Sequence, residues 1–375
     1  MTTPADKPVA ITGCAAITAC GDGLAPLERA LADNASALRP CARFTGSPYQ
    51  TNVVGAVPDE AWATLREGDP GHAGAPAFLL ANHVIRRLRP RATGRVGLVL
   101  STTKADIVAL ERGDTGNRHI LPGQLAADLA AANDITGPVR CVSVACVSGL
   151  LAIQTGAELI RRGEADSVIV AGVDLLSHFV VAGFSALKSL DPEGCRPFDK
   201  DRIGLSVGEG AGAILLARGA GMTVAGWGSS NDANHLTGPS RDGSGLALAM
   251  QRALRRAGVA PGDVDYVHAH GTGTLYNDSM EALALRWVFG DRVPAFSSSK
   301  GLFGHTLGAA GVLETVLCVI AANDGLVPGT PRLRVPADDM PATLQIESRH
   351  GAKLRTIMKI NAGFGGTNAA LALRI

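Results

Sequence analysis

The chain has 375 residues, 35 basic against 34 acidic, and a net charge of +1, so no global field recruits nucleic acid or an anionic membrane. Aromatics are only 4% while glycine reaches 46 residues, which fits closely packed α/β layers and excludes a base-stacking surface. The length leaves room for two domains or two fused halves, and the seven cysteines, odd in number and without a C-x-x-C pair, argue against a disulfide framework and for a reducing cytoplasm.

In chain order, Met1–Gly13 carries no basic region followed by an apolar one, and the longest apolar runs are broken by Glu314 or by glycines well short of a membrane span. A soluble protein is expected. Pro8–Thr18 reads as an opening strand and DGLAPLERALADN after it as a capped helix. Residues 40 to 75 are punctuated by Pro, Gly and Ser and predict ordered loops and short edge strands. A helix at Pro76–Arg89, a buried strand at Arg95–Ser101, a helix start in STTKADIVALERG and a helix at Gly123–Asn133 follow. Val139, Val142 and Val144 then mark a short strand, and from Cys146 the apolar spacing switches to Leu150, Ile153, Ala157 and Ile160, a helical period. Asp166–Val173 is again a continuous apolar strand, as expected where helices cover both faces of a sheet.

Two echoes follow. RIGLSVGEGAGAILLARG (202–219) and IMKINAGFGGTNAALALRI (357–375) both read as strand, glycine-rich turn, strand. The helix after Cys146 is matched by one at Ala309–Asp324, which follows a strand at Ala295–Ser298. Two copies of one α/β unit explain both echoes, residues 1–218 forming one half and 222–375 the other.

Cys146 sits where a strand gives way to a helix, an environment whose unpaired N–H groups and dipole lower a thiol pKa. An inert core cysteine is the bland alternative. In the second half DYVHAH (265–270) is a strand with His270 at its exit, where α/β sheets build sites. HGTGT follows, with Asp278 or Ser279 expected to cap the next helix. His305 lies in KGLFGHTLGAAG, before the Ala309 helix. Each histidine alone could be structural. His268 and His270 share a strand face, but no third ligand at metal spacing completes a site.

The motifs VACVSGL around Cys146, RPFDKDRIGLSVGEGAGAILL (196–216), HAHGTGTLYND (268–278), KGLFGHTLGAAGVLE (300–314) and GFGGTN (363–368) occur in one order. In that order the chain resembles the decarboxylating β-ketoacyl-acyl-carrier-protein synthases, the elongating ketosynthases of fatty acid and type II polyketide synthesis, from about residue 90 onward. The resemblance implies the thiolase fold, two duplicated α/β halves in a five-layered αβαβα sandwich. It implies that Cys146 takes an acyl chain as a thioester, its sulfur kept ionised by the helix N-terminus. His270 and His305 would act on a malonyl thioester, and the N–H groups of Cys146 and Phe364 would hold an oxyanion, Phe364 also being a gate. Lys300 and Glu314 match a pair that orders the His305 region, with Asp278 as companion. Thr272 and Thr274 match positions that bond the pantetheine arm, and Glu209 matches a structural position. No cofactor or metal is implied, the substrates riding on the phosphopantetheine of an acyl carrier protein. A homodimer, or a heterodimer with a ketosynthase-like chain-length subunit, is implied, joined through the strand near Asp166–Val173.

Some residues depart from the family pattern. Ser143, Val144 and Val147 surround Ala-Cys, Ala362 stands where an aromatic commonly precedes Gly-Phe-Gly, and STTKADI (101–107) replaces a glycine-rich loop, with Lys104 lacking a family role. These departures point to a specialised polyketide or polyene pathway. Two alternatives stay open: a silent chain-length partner, which Cys146 opposes, and a non-decarboxylating acyltransferase or hydrolase, which the second histidine opposes.

Overall fold

A computed structural model describes residues 8–375; the first seven residues of the Met1–Gly13 stretch and of the N-terminal half lie outside them. The chain opens with strand Val9–Thr18 (β1) and helix Leu24–Ala32. Between residues 40 and 75 the expected loops also contain a helix, Asp59–Gly68. The first half continues with helix Pro76–Leu88 (α1), strand Val96–Ser101 (β2), helix Pro122–Ala132 (α2), strand Val139–Val142 (β3), helix Ser148–Arg161 (α3), and strands Ser167–Asp174 (β4) and Gly210–Arg218 (β5). The second half has strand Met222–Asn231 (β6), helix Ser244–Ala257 (α4), strand Tyr266–His268 (β7), helix Leu275–Phe289 (α5), strand Ala295–Ser297 (β8), helix Ala310–Asn323 (α6), and strands Thr356–Ala362 (β9) and Thr367–Arg374 (β10).

These ten strands and the short Gly21–Asp22 strand make one eleven-stranded sheet in the order β8-β7-β9-β10-β6-β1-β5-β4-β2-β3. Outward from the β1–β6 seam, each half repeats one order and one pattern of parallel and antiparallel pairs. The seam itself pairs only Ala10 with Thr223 and Ile11 with Met222. Helices α3 and α6 each touch strands of both halves and form the middle layer; α1 and α2 cover the outside of one half, and α4 the outside of the other. Helix α6 is apolar nearly all round, as a helix buried on every side must be. The result is the layered α/β sandwich expected from the sequence.

The middle layer rests on a backbone contact. A Cβ added to Gly149 would lie 2.6 Å from the Val312 nitrogen and 2.8 Å from the Gly311 Cα, and one added to Gly311 would lie 2.6 Å from the Leu150 nitrogen. Helices α3 and α6 therefore meet closely only because both positions lack a side chain.

Three expectations change. Residues 202–208 are not a strand: Leu205 and Val207 make single bridges to Leu190 and His305, so their backbone groups bind loops rather than a ladder. The true echo is β5 with β10, while β9 corresponds to β4. Strand β4 is interior, paired to β5 on one side and β2 on the other, so it has no free edge to continue a sheet across a two-fold axis. That edge belongs to β3.

Gly149→Ala should lower unfolding stability by about 1–3 kcal/mol, because the new methyl meets backbone that cannot yield. Gly123→Ala, exposed on α2 with nothing near its Cβ position, should be neutral or stabilising by up to ~1 kcal/mol. Urea denaturation of the two variants checks the contrast.

Candidate active site

Strand β3 leads through Ala145, whose φ of 44° is left-handed, to Cys146, and α3 starts two residues later at Ser148. A non-glycine residue there is uncommon and costs backbone strain. Ser148 fixes the turn, its Oγ accepting from Val144 N at 2.8 Å and donating to Ala145 O at 2.6 Å. Cys146 is thus held just before the helix and not inside it.

The two histidines arrive from the other half. Beyond β7, the Glu281 carboxylate accepts from the N–H groups of His270 and Gly271, both at 2.6 Å. Asp278 accepts from Thr272 N at 3.0 Å, Gly273 N at 3.3 Å and Phe198 N at 2.8 Å. Asp278 therefore shapes the HGTGT turn inside α5, which begins at Leu275, instead of capping that helix. Gly271, at φ 40°, has no room for a side chain: its Cβ would sit 2.4 Å from that of Ser298. His305 is tied to the first half, its N–H donating to Ser206 O at 2.7 Å.

The Cys146 sulfur and one ring nitrogen from each of His270 and His305 all lie within 4.8 Å of one another. The two rings are 5.2 Å apart at 84°. Their tautomers follow from the bonds around them. His270 Nδ1 receives Asn361 Nδ2 at 3.1 Å and Lys300 Nζ at 3.5 Å, and His305 Nδ1 receives Leu307 N at 3.3 Å. Each Nδ1 is an acceptor, so each neutral ring carries its proton on Nε2. Burial first, then the Lys300 ammonium, holds both imidazoles well below the usual histidine range. His268 is a core residue against the Tyr266 ring, held down to about 3 by burial.

A cavity of about 220 Å³ opens on this triangle. Thr272, Thr274, Ala362 and Phe364 line it, and the two threonine hydroxyls bond each other at 2.8 Å. Phe364 is 37% exposed beside Phe184, ring centroids 6.0 Å apart. The GFGG turn lies on the nucleophile: a Cβ on Gly363 would sit 3.4 Å from the Cys146 nitrogen, and the Phe364 N–H faces the sulfur.

Behind the histidines the Glu314 carboxylate, buried, binds Lys300 through Oε1 and Lys359 through Oε2 at 2.9 Å. Lys300 also donates to His270 O at 3.0 Å, so the pair bears directly on His270, and Asp278 stands apart from it. Asn361 Nδ2 faces three acceptors, His270 Nδ1, Glu314 Oε2 at 3.2 Å and Cys146 O at 3.4 Å. Lys359, Asn361 and Glu281 escape the sequence reading. The signal was there: a lysine and an asparagine two apart on one face of the apolar strand IMKINA. Glu209 is buried, accepting from Arg43, Trp62, Val57 and Leu176. Lys104 donates to Thr103 Oγ1 at 2.8 Å. Thr103 bonds Asp174, which also takes Gly308 N at 2.6 Å, so the 101–107 segment braces the His305 turn.

One electrostatic expectation meets an opposing effect. Burial pushes the Cys146 thiol up to about 11, against the lowering pull of Lys300, Lys104 and the Phe364 N–H. A helix N-terminus supplies at most about 2 kcal/mol, roughly 1.5 pH units. Burial thus opposes the helix and the two lysines at this sulfur.

The sequence agrees with this geometry. The model for the β-ketoacyl synthase N-terminal domain matches residues 77–220, and that for the C-terminal domain residues 222–334. The chain belongs to the β-ketoacyl synthase family. Among its relatives, 3-oxoacyl-[acyl-carrier-protein] synthase 2 of Coxiella burnetii is 31% identical, over 97% of this chain and 98% of the relative. Nodulation protein E of Rhizobium meliloti is 33% identical over 98% and 99%. Among solved structures, the ishigamide ketosynthase/chain length factor superposes with a TM-score of 0.88 at 30% identity over 98% of this chain and 99% of that one. The ketosynthase ApeO in complex with its chain length factor ApeC, from Xenorhabdus doucetiae, gives 0.84 at 29% over the full length of both chains. As a β-ketoacyl synthase the chain is an acyltransferase. No helix among the described residues is long and apolar enough to cross a membrane.

Alkylation of Cys146 by iodoacetamide, followed on its own peptide by mass spectrometry, should rise about tenfold per pH unit from pH 7 to 9, since only the thiolate reacts. A plateau below pH 8 would mean that the lysines and the helix outweigh burial.

Proposed function

We propose that this β-ketoacyl synthase condenses an acyl thioester with malonyl-acyl-carrier protein, with loss of CO₂, in a specialised polyketide, polyene or fatty acid pathway of the cytoplasm. The observation that carries this reading is the meeting of one thiol with two Nε2-protonated imidazoles within 4.8 Å. A thiol and one base would serve simple acyl transfer. A second neutral donor has work only where an enolate must be held.

In the first step the Cys146 sulfur attacks the carbonyl of a pantetheine thioester, and the bond to the pantetheine sulfur breaks. The thiol proton leaves with that sulfur, so no standing thiolate is needed. In the second, the malonyl carboxylate departs as CO₂, and its bonding electrons form an enolate whose oxygen accepts from His270 and His305. The enolate carbon then attacks the Cys146 thioester. The Cys146 and Phe364 N–H groups, set side by side by the GFGG turn, hold the resulting oxyanion. Collapse breaks the bond to the Cys146 sulfur, which leaves as a thiolate and takes a proton from water, and releases a β-ketoacyl thioester on the carrier protein. Thr272 and Thr274, at the cavity wall, take the pantetheine amides, and Lys300 and Glu314 keep His270 in place.

The same three donor atoms resemble a metal ligand set, but the environment favours an anion. Lys300 stands 3.5 Å from His270 Nδ1, and Lys104 adds a second positive charge near the sulfur. No cofactor is assigned. The partners are an acyl carrier protein and either a second copy or a chain-length-factor-like subunit. Strand β3, with one unpaired edge, is where such a subunit would continue the sheet.

Malonyl-carrier protein labelled in its free carboxylate distinguishes this reading from the others. Wild-type protein should release labelled CO₂ and, given an acyl primer, form a β-ketoacyl product. Cys146→Ala should lose condensation yet keep CO₂ release, while His305→Ala should lose CO₂ release by about a hundredfold yet still accept an acyl group on Cys146. Acylation without CO₂ in the wild type would mark a simple acyltransferase, and neither activity would mark a silent subunit.

A further inference from the structure

Lys359 is a buried charge that the condensation chemistry leaves unused. It lies in β9, whose seven residues are all buried, and it is itself 0% exposed. Its ammonium meets only oxygens: Ile360 O at 2.6 Å, Glu314 Oε2 at 2.9 Å, and His268 O and Ala269 O both at 3.3 Å. Glu314 must serve two ammoniums, because Lys300 takes its other oxygen. A buried ammonium is costly, and an apolar residue of similar volume is often neutral or stabilising in such a place. Core packing alone therefore does not account for a lysine here.

What the ammonium does hold is the orientation of Glu314. The carboxylate oxygen that takes Lys359 also takes Asn361 Nδ2, and that same amide group donates to His270 Nδ1. A line of contacts thus runs from Lys359 through Glu314 and Asn361 to the ring nitrogen that must stay unprotonated.

We propose that Lys359 is a positioning residue, a cation that the chain supplies to an oxygen cage, fixing Glu314 and through it the Asn361 amide that determines which nitrogen of His270 carries the proton. The proposal deepens the condensing-enzyme reading and rests on it for its kinetic arm. Other groups act on His270 as well: Lys300 before the His305 turn, His305 itself, Glu314 on α6, Cys146 before α3, Glu281 on α5 and His268 on β7. Of these, Lys300 alone also donates to the ring nitrogen. Loss of Lys359 frees Glu314 to turn toward Lys300. Asn361 then loses one of its anchors, and the Nδ1–H tautomer of His270 becomes accessible.

The test is ¹⁵N-histidine NMR of the full chain, with His270 assigned by difference against His270→Ala, alongside labelled CO₂ release. In the wild type His270 should show only the Nε2–H tautomer. Lys359→Met should fold, show a mixture of the two tautomers, and lose CO₂ release roughly tenfold or more, the usual effect of removing an outer-shell orienting group. Lys359→Ala leaves the oxygens in place with room for a small cation. Ammonium chloride should restore its tautomer and activity, while lithium chloride at equal ionic strength should not. An unchanged His270 tautomer in Lys359→Met, or no difference between ammonium and lithium, overturns the proposal while leaving the condensation reading intact. If the wild type releases no CO₂, the condensation reading fails, and the NMR arm still decides the role of Lys359. Failure of both variants to fold, even with ammonium, would make Lys359 a support of the core and also overturns the proposal.

Discussion

The contact between Gly149 and Gly311 is the constraint on which the architecture depends. Cys146 lies three residues before the first glycine and His305 six before the second, each at the head of one of the two central helices. With backbone touching backbone at that crossing, the helix heads are brought close together. Any side chain there would push the thiol and the imidazole apart. The seam between the halves, two residue pairs long, could not by itself hold them in register.

On that scaffold the chemistry follows from charge placed out of reach of water. Two ammoniums share one carboxylate behind the histidines, and burial first, then this net positive charge, holds both rings well below the usual histidine range. Neutral rings whose Nδ1 atoms already accept must donate through Nε2. The same burial pushes the Cys146 thiol up. The site is therefore arranged around charges that arise during reaction, on an enolate or a tetrahedral oxyanion, and carries none of them at rest.

Much of this was legible in the sequence, and the exceptions share a cause. His270, His305, Thr272, Thr274 and Phe364 sit in glycine-rich turns and Cys146 at a strand-to-helix junction, and the family resemblance of these motifs supplies their roles. Lys359 and Asn361 sit in a strand whose periodicity reads as core, and only their neighbours from α6 and the HGTGT turn reveal their use. Glu281 lies three residues after Asp278, but that it caps the His270 turn depends on how α5 packs. The interior place of β4 depends on pairing with β5, nearly forty residues away. The opposing effect on the Cys146 thiol escapes the sequence, because a helix start is visible there and burial from the opposite half is not.

The repeated strand order has one more consequence. Each repeat holds a part that the other lacks: the first holds the sulfur and the second both rings, so neither is an enzyme alone. A drift in one repeat that moves its central helix by the width of a methyl group must be met by a matching drift in the other. The two copies, free to diverge in their outer layers, are bound to evolve as a pair along the line where they touch.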